Sequence, residues 1–395
     1  MKMRGDFEDI KIFDAKEHGL MRDLFVGFKA RGRARVSSAV TDAESRVAVP
    51  DTTASATLLT PLADVSAYDE PKEIVRRVAP LMRRLFTGDN RNEYFRLFEE
   101  QGLHVTPVDS YEPIPDTRRL PDSLWGRESE MVGVDMNVDA QLQLICDVFP
   151  AYAEEYTGLP TRPTADPGEF YLGNGIFDGT DALSYYCMVR HFEPRTVIQI
   201  GSGFATRVAA TAAARNPATP EVLVVDPRPD HSMIETLNGQ VSLIEASVEN
   251  TEMTLYERLQ SGDILFIDSS HVIRIGGDVT FLFLEVVPRL KTGVLVHVHD
   301  IFLPRAYPKD WVLEKARFWN EQYLLQAFLL FNTDFEVLLC NAYLGTHHQP
   351  ELRDAFPNSP WWGGGSWWMR RRSRECIGDG TGDRTDSSGS GNQPG

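Results

Sequence analysis

Five short apolar runs, rich in β-branched residues, recur between residues 195 and 300: RTVIQIGSG (195–203), EVLVVDP (221–227), VSLIEAS (241–247), DILFIDS (263–269) and TGVLVHVHD (292–300). Their hydrophobicity is near-continuous rather than alternating. Strands buried on both faces read this way, as in a parallel sheet covered by helices. Helical stretches separate them, including 205–214 and 277–290. Alternating strand and helix implies right-handed crossovers, and so an α/β, doubly wound fold.

The flanks are less regular. Residues 1–70 are rich in Ser, Thr, Ala and Asp with little periodicity, and read as a weakly structured arm. From 71 to 135 the chain is helical and then loop-rich. Ile74, Val75, Val78, Leu81, Met82 and Leu85 fall at helical spacing, with Arg76, Arg77, Arg83 and Arg84 on a solvated face. Gly88 and Asp89 break that helix, and a second runs over 93–100. Residues 105–137, full of Pro, Asp and Ser, form either a cleft-lining loop or a surface connector. Further helices are expected over 139–156, 181–191 and 310–331, and a sixth strand over 335–345. A hairpin-like return follows in SPWWGGGSWWMRR. The main domain spans 136–372, and 373–395 is a disordered, low-complexity tail.

Composition narrows the partners. A formal net charge of −17 argues against nucleic acid and anionic membrane surfaces. No run approaches the roughly twenty apolar residues of a membrane span, and the N-terminus lacks a signal-peptide core. None of the four cysteines forms a CxxC pair. Three of them sit in apolar stretches and read as small buried hydrophobes. A reduced, cytoplasmic compartment fits this usage.

Three features carry the chemistry. Gly201 and Gly203 sit where the first strand turns into a helix, and glycine allows both the tight turn and close ligand approach. The third glycine of a dinucleotide fingerprint is replaced by Thr206. Asp226 ends the next strand, placed to accept both hydroxyls of a ribose. An adenosine ligand without a diphosphate fits this set, and S-adenosylmethionine (SAM) is the obvious one. Lastly, the fourth and fifth strands end in polar tips, Asp268-Ser269-Ser270-His271 and His299-Asp300.

On VIQIGSG, VVDP, DILFIDSSH, the Asp of GGDV and LKTGVLVHVHDIF, the chain from about 170 to 371 resembles class I SAM-dependent methyltransferases. Within them it is similar to macrocin O-methyltransferase-like and cephalosporin-hydroxylase-like proteins. The resemblance implies a seven-stranded Rossmann-like sheet of order 3-2-1-4-5-7-6 with the last strand antiparallel. It departs from the family at Gln199, where an acidic residue is usual. It covers about half the chain and leaves residues 1–130 unassigned.

In that topology the fourth and fifth strands are neighbours, and both tips lie at the carboxyl edge where doubly wound folds bind ligands. Gly201, Ser202, Gly203, Asp226, Ser247 and Asp268 are expected to bind the cofactor. His271, with Asp268, is the expected catalytic group and takes the acceptor's proton. The resemblance to metal-dependent methyltransferases implies a divalent metal (Mg, Mn or Fe) on Asp268, His299 and Asp300. His299 stands there in place of an oxygen ligand, and the alternative is a hydrogen-bonded network without metal. His297 falls on the same side as His299 by period two and reads as a buried, satisfied histidine. Phe302, Tyr307, Trp311, Trp319 and Tyr323 are candidates for an acceptor pocket or lid, with core packing the alternative for at least half. Asn174 and Asp181, in the segment before the first strand, are candidates for the methionine end.

The expected function is methyl transfer from SAM to a small-molecule acceptor, a hydroxyl by preference, in specialised metabolism, with a homo-oligomer left open. The alternatives are an NAD-dependent Rossmann-type oxidoreductase and a non-catalytic scaffold.

Overall fold

A computed structural model describes residues 70–86 and 90–373. The proposed arm, the Gly88-Asp89 break and the tail lie outside the described residues. The chain divides into two compact units, residues 1–121 and 122–395.

In the first unit, α1 spans Pro71–Phe86 and α2 spans Arg91–Glu99. Leu81 and Phe86 are buried on α1, while Arg76 and Arg77 face solvent beside Glu73. Val75, counted on the apolar face by spacing, is 63% exposed. Tyr111, a candidate for a cleft, is also fully out in solvent.

The second unit is built on a seven-stranded sheet of order β3-β2-β1-β4-β5-β7-β6. The strands are β1 Thr196–Ile200, β2 Glu221–Val225, β3 Ser242–Ile244, β4 Ile264–Ile267, β5 Leu295–Val298, β6 Phe335–Cys340 and β7 Trp367–Arg371. The first five pair in parallel, and β7 runs antiparallel between β5 and β6. The central strands are buried on both faces, as their unbroken Val/Ile/Leu runs require. Two large apolar clusters, one on each face, make the core.

Helix α3 (Gly179–Phe192) precedes β1 and is almost wholly buried, and α4 (Phe204–Ala213) follows it. After β5 come α5 (Lys309–Leu313) and α6 (Glu321–Leu329). After β6 come α7 (Asn341–His347) and α8 (Gln349–Ala355).

Three sequence expectations need correction. The helix expected over 310–331 is two helices, parted by residues in which Ala316 adopts a left-handed φ of 52° and Arg317 stacks on Trp311 and Trp319. The sixth strand stops at Cys340, because Asn341 turns inward to bond Asp181 and Ser184 and opens α7. Cys187 and Cys340 are buried, but Cys146 is exposed, on the outer side of a helical turn. Among the described residues, no helix is long and apolar enough to cross a membrane.

Candidate active site

The loop between β1 and α4 is held by its own side chains. Ser202 donates to Asp226 through both its backbone N–H (2.8 Å) and its hydroxyl (2.6 Å). The other Asp226 oxygen accepts from the Arg228 N–H at 2.8 Å. The GxG loop is thereby tied to the tip of β2. Thr206, noticed in the sequence only as a missing glycine, is fully buried. Its Oγ1 accepts from Gln199 Nε2 (2.8 Å) and from the Gly203 N–H (3.1 Å), capping α4. Gln199 also donates to the Gly201 carbonyl at 2.8 Å, while its buried Oε1 has no partner among the described residues. Ser247 is half-buried after β3, its side chain making no cap bond.

The tips of β4 and β5 converge. His271 Nε2 lies 3.3 Å from Asp268 Oδ1 and 3.5 Å from Asp300 Oδ2. His299 Nδ1 lies 3.6 Å from each of the same two carboxylates. Two imidazoles thus bracket one pair of acids. Behind each ring stands a second, buried acid. Glu321 Oε2, at the start of α6, is 2.9 Å from His271 Nδ1. Asp181 Oδ2, on α3, is 3.6 Å from His299 Nε2. Neither tip is relaxed backbone: His271 and Asp300 both sit in the left-handed region, at φ 59° and 57°. Non-glycine residues adopt that conformation uncommonly, although Asp and His tolerate it better than most.

The charges follow from this geometry. Burial pulls His271 down, but Asp268 and Glu321 outweigh it and push its pKa up to about 10. Burial likewise opposes the charge on His299, and Asp300, Asp268 and Asp181 raise it well above the usual imidazole range. Burial would raise Asp268, yet the two imidazoles hold it far below the ordinary carboxylate range. Burial wins at Asp300 and Glu321, both raised despite their histidine neighbours. Four carboxylates share two imidazoles, so the ionised cluster keeps an excess of negative charge even with both rings protonated. His271 can serve as a base only after surrendering a proton that these acids hold.

The inner distances, 3.3 to 3.6 Å, are long for direct hydrogen bonds, whereas the His271–Glu321 contact is a full one. One ligand atom each from Asp268, His271 and Asp300 lies within 4.8 Å of the others, a spacing that suits a divalent ion. His299 Nδ1 faces the same two carboxylates. The donor set therefore fits a metal, and its mix of imidazole and carboxylate favours Mn, Fe or Zn over Mg.

Several residues take places that the sequence did not reveal. Asp181, expected near the methionine end, accepts from the N–H groups of Gly365 (2.8 Å) and Ser366 (2.9 Å) and from Asn341 (2.8 Å). The GGG run 363–365 threads past the cluster: a Cβ on Gly364 would come within 2.3 Å of the Asp181 carboxylate, and one on Gly365 within 2.8 Å of Asp300 Cα. Asn174 spends its amide on its own turn, bonding Tyr171, Ile176 and Phe177. His297 is buried, as expected, but only half satisfied: Nε2 meets Ser366 Oγ at 2.9 Å and Nδ1 has no partner among the described residues. Burial and the neighbouring His299 push its pKa well down, so it is neutral. Of the aromatic candidates, Tyr307 is core, and Trp319 stacks on the His271 ring with centroids 4.3 Å apart.

Residues 198–301 match the family model of a methyltransferase domain. Over 174 residues the chain is 25% identical to an uncharacterized protein of Archaeoglobus fulgidus, covering 42% of this chain and 78% of that one. Among solved structures it is similar to the SAH-bound Podospora anserina methyltransferase PaMTH1, at 17% identity and a TM-score of 0.32, covering 60% of this chain and 94% of that one. It is also similar to the SAM-dependent methyltransferase SibL in its apo form, at 17% identity and a TM-score of 0.29, covering 60% and 73%. The matched stretch contains the GxG loop and both strand tips, and it lies within the seven-stranded sheet with its antiparallel β7. Residues 198–301 thus carry a methyltransferase domain, which favours a methyltransferase over the oxidoreductase and scaffold alternatives.

Proposed function

We propose that this enzyme moves the SAM methyl group to a hydroxyl oxygen of a small molecule, at the cluster formed by Asp268, His271, His299 and Asp300. One observation carries the reading: two imidazoles and two carboxylates converge at the carboxyl edge of β4 and β5, next to the GxG loop. Gly201 supports it, since a Cβ there would stand 2.2 Å from the Asp268 carbonyl oxygen, so loop and acid are immediate neighbours. The likeness of the tip motifs to macrocin O-methyltransferase-like proteins favours oxygen as the acceptor atom.

Asp226 has carboxylate lone pairs left for the ribose hydroxyls after bonding Ser202 and Arg228. Beyond its chain neighbours, nothing lies within 4 Å of where a Gly203 Cβ would stand, which leaves room for the cofactor against the loop. Transfer is an in-line displacement. The acceptor oxygen forms a bond to the methyl carbon as the carbon–sulfur bond breaks, the electron pair stays on sulfur, and S-adenosylhomocysteine leaves. Once the ring has given up its Nε2 proton to solvent, the hydroxyl proton passes to His271 Nε2, which faces the carboxylate pair. Asp268, Asp300 and His299 would hold a divalent ion. When bound, such an ion lowers the pKa of the acceptor hydroxyl and offsets the excess negative charge.

The test is transfer of labelled methyl from SAM to a panel of small hydroxylated acceptors, run with Mn²⁺ and with excess chelator. Chelation should stop transfer while calorimetry shows SAM still bound, and Asp300→Ala should do the same. Full activity in excess chelator would remove the metal and leave the His–Asp network.

A further inference from the structure

Residues 319 to 321 lie outside the stretch matched to the methyltransferase model, yet all three close on His271. Trp319 lays its ring against the imidazole, tilted by 37°. The N–H groups of Asn320 and Glu321 both donate to the His271 carbonyl, at 3.0 and 3.1 Å. Asn320 Oδ1 accepts the Ile273 N–H at 2.6 Å, fixing the chain that leaves His271. Glu321 then takes the ring itself, with Oε2 2.9 Å from Nδ1, while Oε1 faces Ser269 Oγ at 3.5 Å. His271 makes these contacts with its backbone in the left-handed region, at φ 59°.

Glu321 has no exposed surface at all. A buried carboxylate is costly unless paired, and packing alone would be served better by an apolar side chain of similar size. Its one ionic partner among the described residues is His271. A carboxylate bonded to one imidazole nitrogen fixes that nitrogen as the donor and orients the other.

We propose that Glu321 is a positioning residue for methyl transfer: it holds His271 by Nδ1 and so presents Nε2 to the acceptor between Asp268 and Asp300. Asp181 stands in the same relation to His299, at a looser 3.6 Å. The role of Glu321 rests on His271 being the proton acceptor, and its test is chosen to be independent of turnover.

The full chain is labelled with ¹⁵N-histidine, and His271 is assigned by the signal missing from His271→Asn. Long-range ¹⁵N–¹H spectra are compared for wild type, Glu321→Gln and Glu321→Ala, and SAM is titrated into each sample. In wild type the Nδ1 proton is shielded from exchange. In Glu321→Gln, which keeps the shape but loses the charge, that proton moves upfield and exchanges roughly tenfold faster, the ratio expected when a charge-assisted hydrogen bond becomes a neutral one. In a folded Glu321→Ala the shielded proton is lost. Superimposable His271 signals in wild type and folded Glu321→Gln overturn the positioning role. The SAM titration reports separately on the methyl-transfer reading: Glu321 bonds Ser269 and His271 rather than the GxG loop or Asp226, so its loss should leave cofactor affinity unchanged, whereas folded wild type that binds no SAM sinks that reading instead. If Glu321→Ala does not fold, the isosteric Gln variant decides.

Discussion

Gly201 sits against the backbone of Asp268: a Cβ at Gly201 would stand 2.2 Å from the Asp268 carbonyl oxygen. The Asp268 N–H donates to the Ile200 carbonyl at 3.0 Å, so the two tips are joined backbone to backbone. The GxG turn and the Asp268 tip, which the proposed function assigns to cofactor and acceptor, are therefore tied together through their backbones.

Gly201→Ala tests that junction. Its φ of 85° alone costs an alanine about 1–3 kcal/mol, and the collision adds to this. The variant should melt several degrees lower and bind SAM at least about tenfold more weakly, because the loop must shift to admit the methyl group. Wild-type melting and affinity would show that the tips are not in contact.

Thr206→Val probes the cap that replaces the third glycine. The two branched side chains have similar shape, but valine leaves the buried Gln199 amide and the Gly203 N–H without their shared acceptor. A loss of about 1–3 kcal/mol is expected, read by chemical denaturation. Thr206→Ser keeps the hydroxyl and should recover most of it.

How much of this could be read beforehand follows from what local sequence encodes. The buried strands were legible because burial on both faces leaves an unbroken apolar run, and their order followed from the resemblance carried by the tip motifs. Asp268, His271, His299 and Asp300 were legible because strand ends deliver them to one edge. Glu321 was not, and Asp181 was legible only as a candidate for the methionine end, not as the partner of His299. Each sits in the first turn of a helix remote in sequence from the histidine it faces, where an acid is ordinary. Only tertiary packing brings Glu321 to a histidine 50 residues earlier. The Gly363–Gly365 run read as a turn, because its need for small residues comes from Asp181 and Asp300, which lie remote in sequence. Ala316 at positive φ, which parts α5 from α6, left no glycine or proline to announce it.

The charge cluster sets a pH dependence. The folded pKa of His271, about 10, lies above the ordinary histidine value of 6.5. Its contribution is therefore complete below about pH 6.5 and is lost as pH rises toward 10. In chelator-treated protein, stability should fall across that window by an amount on the order of a few kcal/mol. Denaturation midpoints measured from pH 6 to pH 10, a range of about four units, should decline in wild type and decline less steeply in His271→Gln, where His299 alone still holds a raised proton. A wild-type curve flat across the window would mean that the imidazole is not held charged.

Cofactor binding tests the central claim most directly. Calorimetric titration of the folded full chain with SAM should give saturable binding at one site per chain, and NAD should give none. In Asp226→Ala the SAM affinity should fall at least about tenfold, in keeping with charge-assisted hydrogen bonds of about 1.5–3 kcal/mol to the ribose. A folded chain that takes up NAD and leaves SAM unbound would contradict the account.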